Sequence, residues 1–393
     1  MRSLTRPMRA GALALAGVVA SGFVVACAPV RADNGPGSAA VARSDALIAI
    51  SPANHSRDWN PTKPILLTVA SGTFSRVAVD GGGHKVTGHF LRGGSVWEST
   101  DQLAYSTRYH VTAVAVDATG RVATSHTGFR TVHPHSLLGV SVTPLSGWTV
   151  GVGMPIIVTF DRPVPDRAKV ERLLHVTSTP HVTGGWYWVN DQMVRYRPKA
   201  YWPAGTKVSL DAPLAGQDLG AGVWGGSNVH VDFTVGAATI DTVDIAADEL
   251  TVRQGGKVVR TIPVTTGKPG WDTRIGIKVI MAKQPEVTMD AATLDVPKNS
   301  PDYYRLRVQW AMRLTWSGEF LHAAPWSVAD QGVDNVSHGC TGMSDANALW
   351  LYNTSKVGDP VVYVNGTRPL EPWNGYTDWN VPWDQWLAGS ALH

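Results

Sequence analysis

From Ala46 onward, short runs of alternating apolar and polar residues are broken by turn residues. Leu47 to Ile50, Ile65 to Val69, Ser75 to Val79, Lys85 to Phe90 and Val111 to Asp117 read as strands, with Gly81-Gly82-Gly83 and Ala118-Thr119-Gly120 between them. A second series, Pro155 to Phe160, Gly185 to Val189, Met193 to Arg197, Thr206 to Leu210 and Val229 to Val235, alternates with the same period of two. A third opens with Ile240 to Ile245, Glu249 to Gln254 and Lys257 to Val264, followed by a turn-dense loop at 265–270. One helix of about three turns is predicted after Ser344, which can cap it while Ala346, Leu349 and Trp350 share a face. Val361 to Asn365 closes as a strand.

The first two series have the spacing of β-sandwiches. Leu103 to Tyr109, followed by the alternating Val111 to Asp117, is similar to the tyrosine corner and following strand of immunoglobulin-like domains, without their disulfide. The fold class is therefore mainly β, with two sandwich units at 46–136 and 137–237, a third β-rich unit with a short helix at 238–366, and a tail at 367–393. Trp373, Trp379, Trp383 and Trp386 fall in that tail. Four indoles are too costly to leave in water, so the tail is expected to pack back on the third unit.

Composition narrows the function classes. Charged residues make up 17% of the 393, and Gly and Pro number 40 and 25, which removes a charge-driven disordered chain and argues for many turns. The net charge of +3 falls to zero once Arg2, Arg6 and Arg9 are set aside. No nucleic-acid partner is implied. Those arginines precede an uncharged apolar run, Ala10 to Ala26, which reads as a signal peptide too short and too rich in Gly and Ala for a secure membrane span. It ends at Val24-Val25-Ala26-Cys27, which resembles a bacterial lipobox. The expectation is a lipoprotein signal peptide at 1–26, lipidation of Cys27 and a tether at 27–45, with an ordinary signal peptide as the alternative. Cys340 then remains as a lone thiol in an exported protein, where such a group needs a reason.

The densest chemistry surrounds it: His322-Ala-Ala-Pro-Trp326, then Ser337-His338-Gly339-Cys340. A thiol becomes a useful nucleophile when a base or positive charge favours thiolate, and imidazole is the usual partner. Gly339 permits a sharp turn that could aim N–H groups at a developing oxyanion. Other readings stand beside this one: a small buried apolar Cys340, or zinc held by His322, His338 and Cys340, although no CxxC or HExxH supports the metal.

The segment resembles the active site of the L,D-transpeptidases (YkuD domain), whose signature is His, about fifteen residues, then Ser/Thr-His-Gly-Cys. Fourteen residues separate His322 from Ser337 here. Thr266-Gly-Lys-Pro-Gly270, Tyr304-Arg305, Trp316-Ser-Gly318 and the tail run Asp378 to Trp386 resemble mycobacterial-type members, which carry two immunoglobulin-like domains before the catalytic domain. The resemblance implies that Cys340 attacks a diaminopimelate carbonyl of a peptidoglycan tetrapeptide stem with release of D-Ala. His322 would be the proton acceptor and donor, and the backbone at Ser337, His338 and Gly339 would support the oxyanion. A 3→3 cross-link would follow when a second stem's amine attacks.

Tyr304, Ser317, Gly318 and Trp326 would line the donor pocket, with Met289 in the active-site lid. The family commonly has Asn where Gly342 stands, and Ser where Ala323 stands. No metal or organic cofactor is implied, a monomer is expected, and the protein would sit on the outer face of the cell membrane, anchored by lipid and reaching into the wall. Acylation by carbapenems would follow from the same thiol. Alternatives on the same chemistry use water or a protein lysine as acceptor, and a non-enzymatic alternative is a lipid-anchored wall-binding protein.

Overall fold

Alternation builds the N-terminal unit. In a computed structural model, which describes residues 43–392, the strands Leu47–Ser51, Leu66–Ala70, Val96–Ser99 and Gly88–Leu91 form one sheet. His84–Lys85, Thr73–Gly81, Arg108–Val116 and Val122–Arg130 form the other. Every second residue turns inward, so Leu67, Val79, Trp97, Tyr109, Val111 and Phe129 fill the space between. The Tyr109 hydroxyl accepts from the Ala104 N–H at 2.8 Å, the backbone tie of a tyrosine corner. The single strand expected over Lys85 to Phe90 is instead two short strands in different sheets. Asp101 binds both the N–H and the hydroxyl of Thr87 and turns the chain there. The signal segment and Cys27 lie outside the described residues.

In the second unit, Val140–Thr143, Ile156–Phe160, Met193–Pro198 and Gly184–Trp188 face Thr149–Val150, Val229–Val235, Lys207–Ala212 and His175–Thr179. A short helix, Arg167–Leu173, begins at Asp166, whose carboxylate accepts from the Lys169 N–H at 2.9 Å. Tyr105 of the first unit donates to Gly225 O and accepts from Gly216 N, tying the two sandwiches together.

The third unit packs a six-stranded sheet around Thr239–Asp244 and Pro360–Val364 against a four-stranded sheet of Ala282–Asp290, Arg305–Arg313, Phe320–Ala323 and Thr341–Met343. Val243, Leu250, Ile262, Met312, Leu321, Met343 and Val361 make its core. The helix Asp345–Thr354 is capped by Ser344, as expected, but its buried residues are Ala348 and Leu351. Ala346 is exposed. Trp350 is half-buried against the core and also covers the Arg260 guanidinium at 4.6 Å, so the fully buried face differs from the expected one.

The tail departs most from expectation, because its indoles are taken up largely by the second sandwich and not by the third unit alone. Trp386 Nε1 donates to Gly185 O and Trp379 Nε1 to Gly153 O, both at 2.8 Å. The Arg197 guanidinium lies over Trp379, Trp383 and Trp386. Asn380 meanwhile exchanges hydrogen bonds with Ile277 of the third unit. The tail is thus a clasp between two units. Its innermost contact is an ion pair, Arg195 to Asp378 at 3.1 Å, with both side chains essentially inaccessible. Burial raises the Asp378 pKa while Arg195 opposes that shift.

Removing one member of such a pair leaves an uncompensated buried charge. Arg195→Met is expected to lower stability by about 3–5 kcal/mol, read from the denaturant midpoint of the full chain. The double replacement Arg195→Met with Asp378→Leu should recover most of that loss.

Candidate active site

Two short strands distant in sequence run parallel here. Phe320–Ala323 pairs with Thr341–Met343, with Leu321 opposite Thr341 and His322 opposite Gly342. Leu321, Ala323 and Met343 point into the inner core. Side chains alternate along a strand, so Phe320, His322 and Cys340, one residue before its strand, face the other way. Cys340 packs there with Val308, Ala311 and Phe320. His322 and Cys340 both line a cavity of about 240 Å³.

The His322 Nδ1 lies 2.7 Å from the Ala323 carbonyl. A carbonyl can only accept, so Nδ1 carries the proton and Nε2 of the neutral ring keeps its lone pair. Only the main chain of residue 323 holds the ring, so Ala serves there as well as Ser. Burial pulls the His322 pKa below its ordinary value, and burial pushes the Cys340 thiol up to about 12. The thiol donates weakly to Gly318 O at 3.5 Å. Burial thus disfavours both the thiolate and the imidazolium.

Ser337 shapes the loop that ends at Cys340: its hydroxyl donates to Cys340 O at 2.6 Å and accepts from Gly339 N at 3.0 Å. Gly339 adopts φ +112°, which a side chain would strain, and Thr273 holds its carbonyl at 2.9 Å. Gly339 therefore contributes the turn. Its N–H is directed at Ser337, which leaves the N–H groups of His338 and Cys340 as candidate oxyanion donors. The His338 ring is held between Trp271 and Tyr304, at 4.9 and 4.8 Å, with Nε2 3.6 Å from Asp302. The two histidines sit in different surroundings: both line the thiol's cavity, but a hydrogen bond fixes the ring proton of His322 on Nδ1 and leaves its Nε2 without it.

The expected substrate residues divide between two cavities that share Met289, Tyr304 and His338 as a wall. Ser317 and Gly318 line the larger, of about 570 Å³, while Trp326 and Gly342 line the smaller with the thiol. Burial raises the Tyr304 hydroxyl to about 12, so it remains a proton donor at neutral pH. Met289 and Tyr304 come from the two sides of the long hairpin Ala282–Asp290 and Arg305–Arg313 and the loop between them. Gly342 lies in extended backbone, and a Cβ there would sit 2.9 Å from Ala324 Cβ and 3.2 Å from Thr265 Cγ2. The small residue thus fits a close approach of neighbouring chain.

Several residues escaped the sequence reading. Asn374, from the tail, accepts from Ser317 N and donates to Ser317 Oγ, and so fixes one wall of the larger cavity. Beneath the loop that ends at Cys340, Lys278 is fully buried, with Nζ 2.6 Å from Glu319 Oε2 and 3.6 Å from the Tyr363 ring centroid. Glu319 also accepts from the Arg274 N–H and guanidinium at 3.1 and 3.0 Å. Burial brings Lys278 down to about 8, against the pull of Glu319. Tyr363 in turn shares a 2.7 Å hydrogen bond with Thr341, the residue after Cys340. A network of compensated charge therefore backs the strands that carry the thiol.

Comparison with known proteins places this geometry in a lineage. The L,D-transpeptidase catalytic domain (YkuD) matches residues 239–362, and a bacterial Ig domain matches 56–218. L,D-transpeptidase 2 of Mycobacterium tuberculosis (strain CDC 1551 / Oshkosh) is 41% identical over 332 residues, covering 84% of this chain and 81% of the relative. L,D-transpeptidase 5 of M. tuberculosis (strain H37Rv) is 33% identical, covering 96% and 83%. A solved L,D-transpeptidase in complex with imipenem superposes with a TM-score of 0.51 at 40% identity, over 59% of this chain and 99% of that one. With that degree of identity running through both the sandwich region and the catalytic unit, the chain belongs to the L,D-transpeptidase family.

Proposed function

We propose that the chain is a peptidoglycan L,D-transpeptidase that forms 3→3 cross-links through a Cys340 acyl-enzyme. The observation that carries this reading is the parallel strand pair that turns His322 and Cys340 into one cavity, with His322 Nδ1 occupied by Ala323 O and Nε2 left to accept a proton. The Cys340 S–H proton passes to His322 Nε2 as sulfur attacks the diaminopimelate carbonyl carbon of a donor stem. The oxyanion so formed is met by main-chain N–H groups of His338 and Cys340. Its collapse breaks the bond to D-Ala, whose amine leaves with the proton from His322. The side-chain amine of a second stem then attacks the thioester, gives its proton to His322, and expels the thiol, which takes that proton back.

Two cavities meeting at one wall suit two peptide substrates. The donor would run from the larger cavity, along Ser317, Gly318 and Tyr304, over the shared wall to Cys340 and Trp326 in the smaller, and the acceptor amine would enter the smaller past His322. A lipidated Cys27 would hold this machinery on the outer face of the membrane, with the sandwiches as a spacer toward the wall.

Intact-mass analysis after incubation with a tetrapeptide stem should show an adduct lacking the mass of D-Ala, and tetrapeptide with an acceptor stem should give a 3→3 dimer. Cys340→Ala should give neither; dimer formed by that variant would refute the nucleophile assignment, and tripeptide in place of dimer would indicate water as acceptor.

The proton assignment has a separate signature. Because burial raises the thiol and lowers the imidazole, alkylation of Cys340 by iodoacetamide in the absence of substrate should keep accelerating with pH from about 6 to 9, as expected for a protonated thiol. A plateau beginning near the ordinary imidazole pKa would indicate a preformed thiolate–imidazolium pair. His322→Ala should lower kcat by about 10²–10⁴-fold.

Gly342 tests the fit of the smaller cavity. Gly342→Ala should cost about 1–3 kcal/mol of stability, since Ala324 and Thr265 must move to admit the methyl group. An unchanged denaturant midpoint would show that the close approach is soft.

A further inference from the structure

The outer face of the N-terminal sandwich carries a concentration of positive charge that its fold does not use. In the sheet containing Arg108–Val116, the odd-numbered Tyr109, Val111 and Ala113 face the core, so the even-numbered residues face water. Antiparallel partners share a face, and the register sets Arg108 opposite Arg130, Thr112 opposite His126, Asp80 opposite both His110 and Lys85, and Arg76 opposite Val114. Arg76, Lys85, Arg108, His110, His126 and Arg130 therefore come to one surface, all exposed, with Asp80 the one carboxylate at these register positions. Like charges directly opposed across strands weaken the pair, so the Arg108 and Arg130 juxtaposition works against the sheet. Among the described residues, Arg57, Arg76, Lys85, Arg108 and Arg130 take part in no ion pair.

The surface is also concave. The loop preceding the second strand folds along the edge strand through His55 N to Gly128 O at 2.7 Å, Gly128 N to Asn54 Oδ1 at 2.9 Å and Arg130 N to Ser56 O at 2.9 Å. It walls a cavity of about 440 Å³ into which His55, Arg57, Arg108, His110 and Arg130 project their edges, with no acidic residue in the lining. Gly128, opposite His110 in the register, also lines it. The chain as a whole is close to neutral, so this is a local arrangement and not a consequence of net charge.

We infer that this face of the first sandwich binds an anionic polysaccharide, through phosphodiester or carboxylate groups seated among Arg57, Arg108 and Arg130. Guanidinium forks match the planar or tetrahedral oxygens of such groups and can bind them in bidentate fashion. A bilayer surface fits less well. Segments that enter a membrane interface pair their basic residues with apolar or aromatic side chains, and the lining's one aromatic residue, Phe129, is buried in the sandwich core. The site is independent of the chemistry assigned to Cys340 and would add retention at an anionic layer of the envelope to a sandwich otherwise readable as a spacer.

The test is binding of the full chain to poly(glycerol phosphate) and to polygalacturonate, with neutral dextran and vesicles of phosphatidylglycerol and phosphatidylcholine as comparison, at low and moderate salt. Both polyanions should bind and dextran should not. Arg57→Gln/Arg108→Gln/Arg130→Gln should weaken polyanion binding at least tenfold and flatten its salt dependence. Lys199→Gln/Arg253→Gln/Lys257→Gln, which removes equal charge from exposed positions elsewhere, should leave binding within about twofold. Because all three arginines are exposed, the thermal midpoint of the triple variant should match the parent. Should that variant unfold early, Arg108→Lys/Arg130→Lys, which keeps the charge but loses the fork, should still weaken binding severalfold. Equal weakening by the control triple, no binding of either polyanion, or binding confined to the vesicles would each overturn the proposal.

Discussion

The parallel pairing of Phe320–Ala323 with Thr341–Met343 is the constraint on which the site depends. Parallel neighbours require a crossover, and here the seventeen residues between His322 and Cys340 supply it as a short 3₁₀ turn, Pro325–Ser327, and a loop. Because side chains alternate, a slip of one residue would send His322 into the inner core beside Leu321's neighbours and bring Ala323 to the thiol. The register is held from both sides. Leu321, Ala323 and Met343 belong to the apolar core, while Ala324 N bonds Met343 O at 2.7 Å and Gly342 exchanges main-chain hydrogen bonds with Thr265.

Burial then determines the resting chemistry. The same packing that fixes the two reactive groups removes water from them, which disfavours both charged forms. A thiol kept protonated is the less readily oxidised form. The Lys278, Glu319 and Arg274 network lies behind this arrangement as its charged support, and its location beneath the loop joins the rigidity of the strands to that of the nucleophile. Asn374 extends the same dependence outward: the tail that clasps the second sandwich also fixes Ser317, so the catalytic cavity and the domain junction share a structural element.

Much of this was legible in the sequence, and the reasons are physical. His322, Ser337, Gly339 and Cys340 stand in a short motif whose chemistry is local, and period-two alternation exposed strands such as Ile156–Phe160, Val229–Val235 and Glu249–Gln254, but not Val122–Arg130 or the hairpin of Ala282–Asp290 and Arg305–Arg313. The misreadings share a cause, which is that alternation reports polarity and not what covers a face. Arg195 and Arg197 alternate with Val194 and Tyr196 like the outward residues of a half-exposed strand, yet both are buried because the tail lies over them. Lys278 gives the same outward signal in Arg274–Val279, and only the three-dimensional neighbours Glu319 and Tyr363 make its burial tolerable. The four tail indoles announced that something must be covered, but not which unit would receive them. The helix after Ser344 was recognisable from its cap, whereas its buried face, Ala348 and Leu351, depends on the core it packs against, and its Asn347 is bonded by Arg260 from 87 residues away.

The site turns on His322 resting as a neutral imidazole, with its proton on Nδ1 and its Nε2 facing the cavity it shares with Cys340. Nitrogen-15 NMR of histidine-labelled protein near pH 7 measures this directly, since the two ring nitrogens of a neutral imidazole resonate far apart and reveal which is protonated. The prediction is a protonated Nδ1 and an unprotonated Nε2 for His322, a pattern lost in His322→Ala. A protonated Nε2, or an imidazolium with both nitrogens protonated opposite a thiolate, would contradict the account.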